Sequence, residues 1–169
     1  DYQTYQLANY RDVARAWQSG ELPLLGPYTW NGGALAGEYQ NGVFSIVLTV
    51  LTISVFSLDL SLTAAATVLS MFHLAVLAAG TFRLGRRRGL PVDLAMLTAL
   101  IATLSGWIMI WGAKAWFPAL ASFAWLPWFW WGLDRSLDRN ASVARFLPAG
   151  FFLYLIITAG WPFTVLMSA

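Results

Sequence analysis

Few residues of this chain have side chains that could act as acids, bases or metal ligands. The sequence contains eight Asp and Glu residues, one His and no Cys. Five of the carboxylates precede the first long apolar run: Asp1, Asp12, Glu21, Glu38 and Asp59. Asp1 and Glu38 each lie beside a tyrosine, where partial desolvation would raise the basicity of a carboxylate. Any general-base or metal chemistry must therefore come from this group; on spacing alone, the favoured interpretation is that each carboxylate is solvated or ion-paired.

Other kinds of catalytic chemistry have no support in the sequence. The single histidine, His73, lies within an apolar run without nearby carboxylates, and is interpreted as a packed, hydrogen-bonded residue. The sequence contains no GxGxxG, Walker-type loop, HExxH or GxSxG. Dinucleotide, nucleotide, zinc-peptidase and serine-hydrolase functions are therefore without a motif.

Four long apolar runs without charged residues follow the polar segment. The helices that they form must hold that segment in place. The uncharged runs are 60–82, 94–112, 115–133 and 146–169. They predict membrane-spanning helices at about 60–82, 92–112, 115–133 and 146–169, each long enough to cross roughly 30 Å of hydrocarbon. The composition agrees, because 59% of the residues are hydrophobic and only 11% are charged. The expected fold class is an all-α membrane protein, a polytopic bundle of four spans with one short interfacial or re-entrant helix and an N-terminal amphipathic helix and loop.

The arginines predict how these spans are oriented. They concentrate in two loops, 83–91 and 134–145, which the positive-inside rule assigns to the cytoplasm. The net charge of +2 is therefore interpreted as a topology signal, and nucleic acid is not an expected partner. The segment 1–42, the turn around Lys114 and the stretch 160–163 are then expected together on the opposite, extracytoplasmic face.

The stretch 43–58 leaves two topologies open. Its sixteen residues are marginal for a span. If it crosses the bilayer, residues 1–42 are cytoplasmic; if it is an interfacial or re-entrant helix, they are extracytoplasmic. The second topology is favoured, because the stretch is short.

The segment 1–42 is expected to form a juxtamembrane helix followed by a loop. Aromatic and aliphatic residues recur every three or four positions over 1–17, which predicts an amphipathic helix lying against the membrane. Turn residues follow, among them Tyr28 and the pair Gly32 and Gly33, which allow backbone N–H groups to approach a ligand. The chain lacks an initiating Met and stops within an apolar run at Ala169, and it is interpreted as a fragment.

The order of these features resembles the YfhO-type bacterial membrane proteins, which are related to the GT-C glycosyltransferases that use lipid-linked sugars. In that family an aspartate precedes an "SGELPLWNPY" stretch and a glycine pair. The similar stretches here are Asp1 with Gln6, SGELPL at 19–24, Pro27-Tyr28, Gly32-Gly33, Phe44, FHL at 72–74, RLG at 83–85, LSGW at 104–107, AWLP at 124–127 and AGWP at 159–162.

The resemblance implies a glycosyltransferase of the bacterial inner membrane, acting at the outer face on a sugar linked to a polyprenyl phosphate. It gives Asp1 the role of general base or of a ligand to a divalent metal ion. Such a reaction needs a base for the attacking hydroxyl and positive charge near the phosphate leaving group. The residues expected to bind substrate are Gln6, Arg11, Tyr28, Gly32, Gly33, Glu38 and Lys114.

The chain departs from the family at polar positions of the same face. Trp161 replaces the histidine of the family's "GHP" stretch, and Phe163 replaces the following glutamine. These exchanges motivate a second hypothesis, a degenerate relative that packs as a non-catalytic transmembrane subunit against other membrane proteins. The lipid bilayer is an expected partner under both hypotheses.

Overall fold

The computed structural model describes residues 5–26, 33–137 and 143–168. Over these ranges the chain is entirely helical, without strands, which confirms the all-α class. The eight α-helices are α1 (Leu7–Gln18), α2 (Ile46–Ser57), α3 (Leu62–Arg87), α4 (Val92–Leu104), α5 (Phe117–Phe123), α6 (Leu126–Ser136), α7 (Leu147–Thr158) and α8 (Pro162–Ser168). A π-helix (Trp107–Ala115) and two 3-10 turns (Tyr39–Asn41 and Val143–Phe146) complete the fold.

Helix α3 is long and apolar enough to cross a membrane. Its 26 residues begin at a serine cap, where Ala64 N–H donates to Ser61 Oγ at 3.2 Å, and end among the arginines. Helix α4 and the π-helix are together also long and apolar enough to cross a membrane, but their axes meet at a 50° bend. Within the described ranges, one helix could therefore span a membrane, or two if the bent pair is a single broken span.

The other two predicted spans are interrupted. The run 115–133 forms α5 and α6, which are separated at Ala124 and Trp125. Pro127 lies in the first turn of α6, where the N–H that it lacks is not needed for a helical hydrogen bond. The run 146–169 is divided at Gly160, whose φ of +97° ends α7 before α8 begins. Helix α2, within the stretch 43–58, has only 12 residues.

Helices α3 and α6 pack closely because Gly80 has no side chain. A Cβ on Gly80 would lie 2.5 Å from Trp128 Cδ1, too close for any real contact. The Trp128 Nε1–H donates to the carbonyl of Val76 at 2.9 Å, which uses the indole's only polar group. A glycine at this position thus permits the close packing of α3 and α6.

Helix α1 is amphipathic, as its sequence period predicts. Leu7, Tyr10 and Val13 are buried, whereas Arg11 and Arg15 are exposed. The buried side packs against other helices of the chain: the Tyr10 ring lies 5.7 Å from the ring of Phe117 in α5, edge to face. The expected contact with lipid is thus replaced on this side by contact with protein.

The two arginine-rich helix ends lie next to each other. Arg88 at the end of α3 pairs with Asp134 of α6, its Nη2 lying 2.8 Å from Oδ1, and Arg87 Nη2 donates to the carbonyl of Asp134. The predicted loops 83–91 and 134–145 therefore begin at adjacent points of the fold.

Three chain segments that the sequence places on one face also meet. The Trp116 and Trp161 rings contact each other edge to face at 5.9 Å. Gly160 approaches the backbone of Gln40 so closely that a Cβ would lie 2.8 Å from the Gln40 Cα. The end of the π-helix, the α7–α8 junction and the 3-10 turn Tyr39–Asn41 are thus connected by direct contacts.

Candidate functional site

Polar side chains join α1 to the segment 33–42. The Tyr5 hydroxyl donates to Glu38 Oε2 at 2.6 Å, and Asn9 Nδ2 donates to Asn41 Oδ1 at 3.0 Å. The Gln6 amide donates more weakly to Gln40, at 3.4 Å. We refer to Tyr5, Gln6, Asn9, Glu38, Gln40 and Asn41 as the polar cluster.

The centre of the polar cluster is buried and incompletely hydrogen-bonded. Asn9, Asn41 and Gln6 are only 1%, 2% and 5% exposed. Asn41 Nδ2 donates to the carbonyl of Leu35, but Asn9 Oδ1 and Gln6 Oε1 have no hydrogen-bond partner in the described part of the chain. Because a buried acceptor without a donor costs about 1–3 kcal/mol, these oxygens favour a small donor nearby.

A small cavity lies among the residues of the polar cluster. It measures about 10 Å³ and is lined by Tyr5, Asn9, Gly33, Glu38 and Asn41, among others. That volume holds about one water molecule. The cavity therefore accommodates one hydroxyl group or water, and not a whole substrate.

A larger cleft lies on the other side of Glu38. It has a volume of about 250 Å³ and is lined by the segment 36–44 together with Ile157 and Thr158 at the end of α7. The Tyr39 hydroxyl donates to the carbonyl of Ile157 and so fixes the wall of the cleft. The volume is close to the lower end, roughly 300 Å³, of typical small-molecule sites. Glu38, which is exposed, lines both spaces.

The carboxylate of Glu38 keeps the phenol of Tyr5 protonated. Its hydrogen bond with Tyr5 raises the pKa of the Tyr5 phenol above the ordinary value, and burial of the phenol adds to the shift. Burial likewise raises the pKa of Tyr39. Both tyrosines therefore remain protonated donors at neutral pH, so Glu38 has a permanent hydrogen-bond donor on one oxygen.

The pKa of Asp12 in α1 reflects the burial of its carboxyl group. Desolvation raises the pKa of Asp12 above 3.8, although Arg15, at 3.5 Å, and Arg11 act in the opposite direction. The folded protein then binds this proton more tightly than the unfolded chain does, so stability falls as pH rises from 3.8 through the raised pKa.

We therefore expect Asp12→Asn to raise the thermal unfolding midpoint at pH 7 and to have no such effect below pH 3.8. Thermal unfolding in detergent at both pH values measures the difference. Exposed Glu21→Gln is the control and should change neither value. A lower midpoint for Asp12→Asn at pH 7 would show that the ion pair with Arg15 outweighs desolvation.

The structure brings together some of the residues that the sequence indicates. Gln6, Gly33 and Glu38 lie at or beside the polar cluster. Arg11 lies on the exposed side of α1, and Lys114 is exposed at the end of the π-helix; neither has a contact with the cluster among the described residues. Asp1, Tyr28 and Gly32 lie outside the described residues.

Sequence reasoning missed Asn9 and Asn41, the most buried members of the cluster. One signal was present: Gln6 and Asn9 are three residues apart and border the apolar face of α1, where a solvated amide is not expected. Asn41 has no comparable pattern, because it lies in a three-residue turn.

An apolar groove lies among the helices of the described residues. Its volume is about 600 Å³, and it lies between α3, α4 and the α5–α6 pair, beside the bend that precedes the π-helix. The lining includes Leu77, Leu84, Ala102, Trp107 and Trp130. The lining is mainly apolar, with the hydroxyl groups of Thr81 and Ser105 among it, and such a surface suits an apolar chain.

The described residues do not provide a metal site. Within 5–26, 33–137 and 143–168, no three His, Asp or Glu side chains gather at one point. The divalent ion that the family resemblance implies therefore has no ligand set in this part of the chain.

Comparison with known proteins gives no relative. No family model, curated protein or solved structure matches the chain. The class that fold and site define is a helical protein, with one or two helices able to cross a membrane in the part of the chain that the structure describes.

Proposed function

We propose that the chain is part of a multi-pass membrane protein of YfhO/GT-C type, which transfers a sugar from a polyprenyl phosphate at the extracytoplasmic face of a bacterial inner membrane. The main supporting observation is the position of Glu38. It lies between a one-water cavity and a 250 Å³ cleft, with Tyr5 holding one oxygen of its carboxylate. A carboxylate that faces a cleft in this way accepts hydrogen bonds from the hydroxyl groups of a sugar.

The proposed four-span topology accommodates the interrupted helices. The α5–α6 and α7–α8 pairs would each cross as a broken span, like the bent pair of α4 and the π-helix. Broken helices are tolerated at membrane depth where the interruption is buried in protein, and Ala124 and Ala159 at the two breaks are buried. Helix α2 would lie in the interface or re-enter.

The proposed reaction combines Glu38 with Asp1, Arg11 and Lys114, which the sequence also indicates. Asp1 takes the proton of the attacking sugar hydroxyl, and Glu38 orients the sugar by accepting hydrogen bonds from other hydroxyl groups. The oxygen of the attacking hydroxyl forms the new bond to the anomeric carbon while the bond to the polyprenyl phosphate breaks. Arg11 or Lys114 stabilises the phosphate leaving group. The apolar groove provides a surface for the isoprenoid chain.

The test is a transfer assay in the membrane-embedded protein, with a polyprenyl-phosphate sugar as donor. Asp1→Asn is expected to lower the rate by about 10²- to 10⁴-fold, as loss of a general base does. Glu38→Gln is expected to raise KM, because an amide accepts fewer hydrogen bonds than a carboxylate. Exposed Glu21→Gln is the matched control. An unchanged rate for Asp1→Asn would remove the proposed base.

A second function is favoured by the tryptophans near the polar cluster. The Trp111 ring stacks on Trp116 at 6.1 Å, and Trp116 contacts Trp161, so indoles occupy the junction where the family has a histidine. A non-catalytic transmembrane subunit would keep this scaffold without needing proton carriers. Purification as an active monomer would contradict this alternative, whereas an inactive protein found only in a stoichiometric membrane complex would support it.

A further inference from the structure

The arginine-rich end of the fold contains two cations that share one aromatic ring. The guanidinium carbon of Arg83 in α3 lies 4.4 Å from the centre of the Trp131 indole, and that of Arg135 in α6 lies 4.8 Å from the same centre. The two charged groups are therefore within about 9 Å of each other. We refer to Arg83, Trp131 and Arg135 as the Arg–Trp cluster.

Neither cation of this cluster is neutralised by the described part of the chain. The carboxylate of Asp134, which is the acidic neighbour of Arg135 in sequence, is held by Arg88 in a two-point contact. Arg83 and Arg135 are exposed and have no ion pair among the described residues. Two like charges this close repel each other, and an indole face offsets only part of that cost.

The position of the cluster indicates which anion would neutralise it. Arg83 lies in the last two turns of α3, where the apolar surface of the one long candidate span ends. Tryptophan at such a boundary lies at the level of the lipid headgroups, and a guanidinium binds phosphate oxygens through two hydrogen bonds.

We infer that the Arg–Trp cluster binds the phosphate of an anionic phospholipid. The two guanidiniums contact the phosphate oxygens, and the indole packs beside the upper part of the acyl chains. The inference rests on the part of the proposed function that places α3 across a bilayer, and it does not depend on sugar transfer.

The test measures lipid retention by the detergent-purified chain. The chain is mixed with equal amounts of phosphatidylglycerol and phosphatidylcholine, and bound lipids are counted by native mass spectrometry. We expect the wild type to retain phosphatidylglycerol preferentially. The double variant Arg83→Gln/Arg135→Gln should lose up to about 30-fold of that preference, at about 1 kcal/mol for each arginine.

A control variant separates this site from general charge. The double variant Arg86→Gln/Arg145→Gln removes the same charge from the same end of the fold. In the described part of the chain, neither of these arginines contacts Trp131. This variant should keep most of the preference. An equal loss in both double variants, or a wild type without preference, would overturn the inference.

Inorganic phosphate distinguishes a lipid headgroup from a free anion. Millimolar phosphate should leave phosphatidylglycerol bound, because the acyl chains contribute to its retention. Displacement of the lipid would show that the cluster takes free phosphate, and the inference would be wrong. No sugar donor is present, so loss of the proposed transfer activity would leave this result unaffected.

Discussion

Replacing Gly160 by alanine is expected to destabilise the protein by about 3 kcal/mol. Gly160 has a φ of +97°, which costs an L-residue about 1–2 kcal/mol. Its new Cβ would also lie 2.8 Å from both the Gln40 Cα and the Tyr39 carbonyl oxygen. Backbone atoms cannot rotate away, so the 3-10 turn must separate from α7, at a cost of about 1–3 kcal/mol.

The control for Gly160→Ala is Gly89→Ala. Gly89 also has a positive φ, +86°, but a Cβ there would meet nothing within 4 Å. Both variants carry the backbone strain, and only Gly160→Ala carries the collision. Denaturant unfolding in detergent should therefore show the larger loss at Gly160, and equal losses would mean that the contact with Gln40 is absent. The 250 Å³ cleft is lined by the same two segments, with Tyr39 on one and Ile157 and Thr158 on the other, so the proposed transfer activity should fall with stability.

Gly132→Val is the second substitution with a large expected effect, again about 3 kcal/mol. Gly132 lies in α6, and a Cβ there would lie 2.9 Å from the backbone nitrogen of Ala149 and 3.0 Å from its Cα in α7. A valine adds two further methyl groups, so α6 and α7 must move apart and lose their packing.

Gly150→Val is the matched control for Gly132→Val. Gly150 lies in α7, and a Cβ there meets nothing within 4 Å. The control therefore reports only the helix propensities of glycine and valine, which differ by a few tenths of a kcal/mol. If Gly132→Val and Gly150→Val have the same thermal unfolding midpoint, that result would contradict the close approach of α6 and α7.

The sequence predicts the helical class well, but it does not predict where the helices break. The apolar composition of 115–133 predicts that this run is buried in protein or in lipid. It does not predict the interruption at Ala124 and Trp125. Gly160 carries a recognisable signal, a glycine before Trp-Pro, yet it lies inside a continuous apolar run. The count of four spans stays a prediction for this reason.

The candidate site was only partly accessible from the sequence. Glu38 could be selected because carboxylates are few in this chain, and Gln6 because of the family resemblance. Their partners Tyr5 and Gln40 are 33 and 34 residues away, and no local pattern encodes such long-range pairs. The role of Asp1 rests on the family resemblance and stays a prediction.

The proposed topology is tested most directly by labelling single cysteines in intact cells, because the chain has none of its own. Glu21→Cys lies just after α1, and Arg86→Cys lies at the end of α3; both positions are exposed. With a membrane-impermeant maleimide, the proposed topology predicts that Glu21→Cys reacts in intact cells and that Arg86→Cys reacts only after lysis. Labelling of Arg86→Cys from outside, or of Glu21→Cys only after lysis, would contradict it.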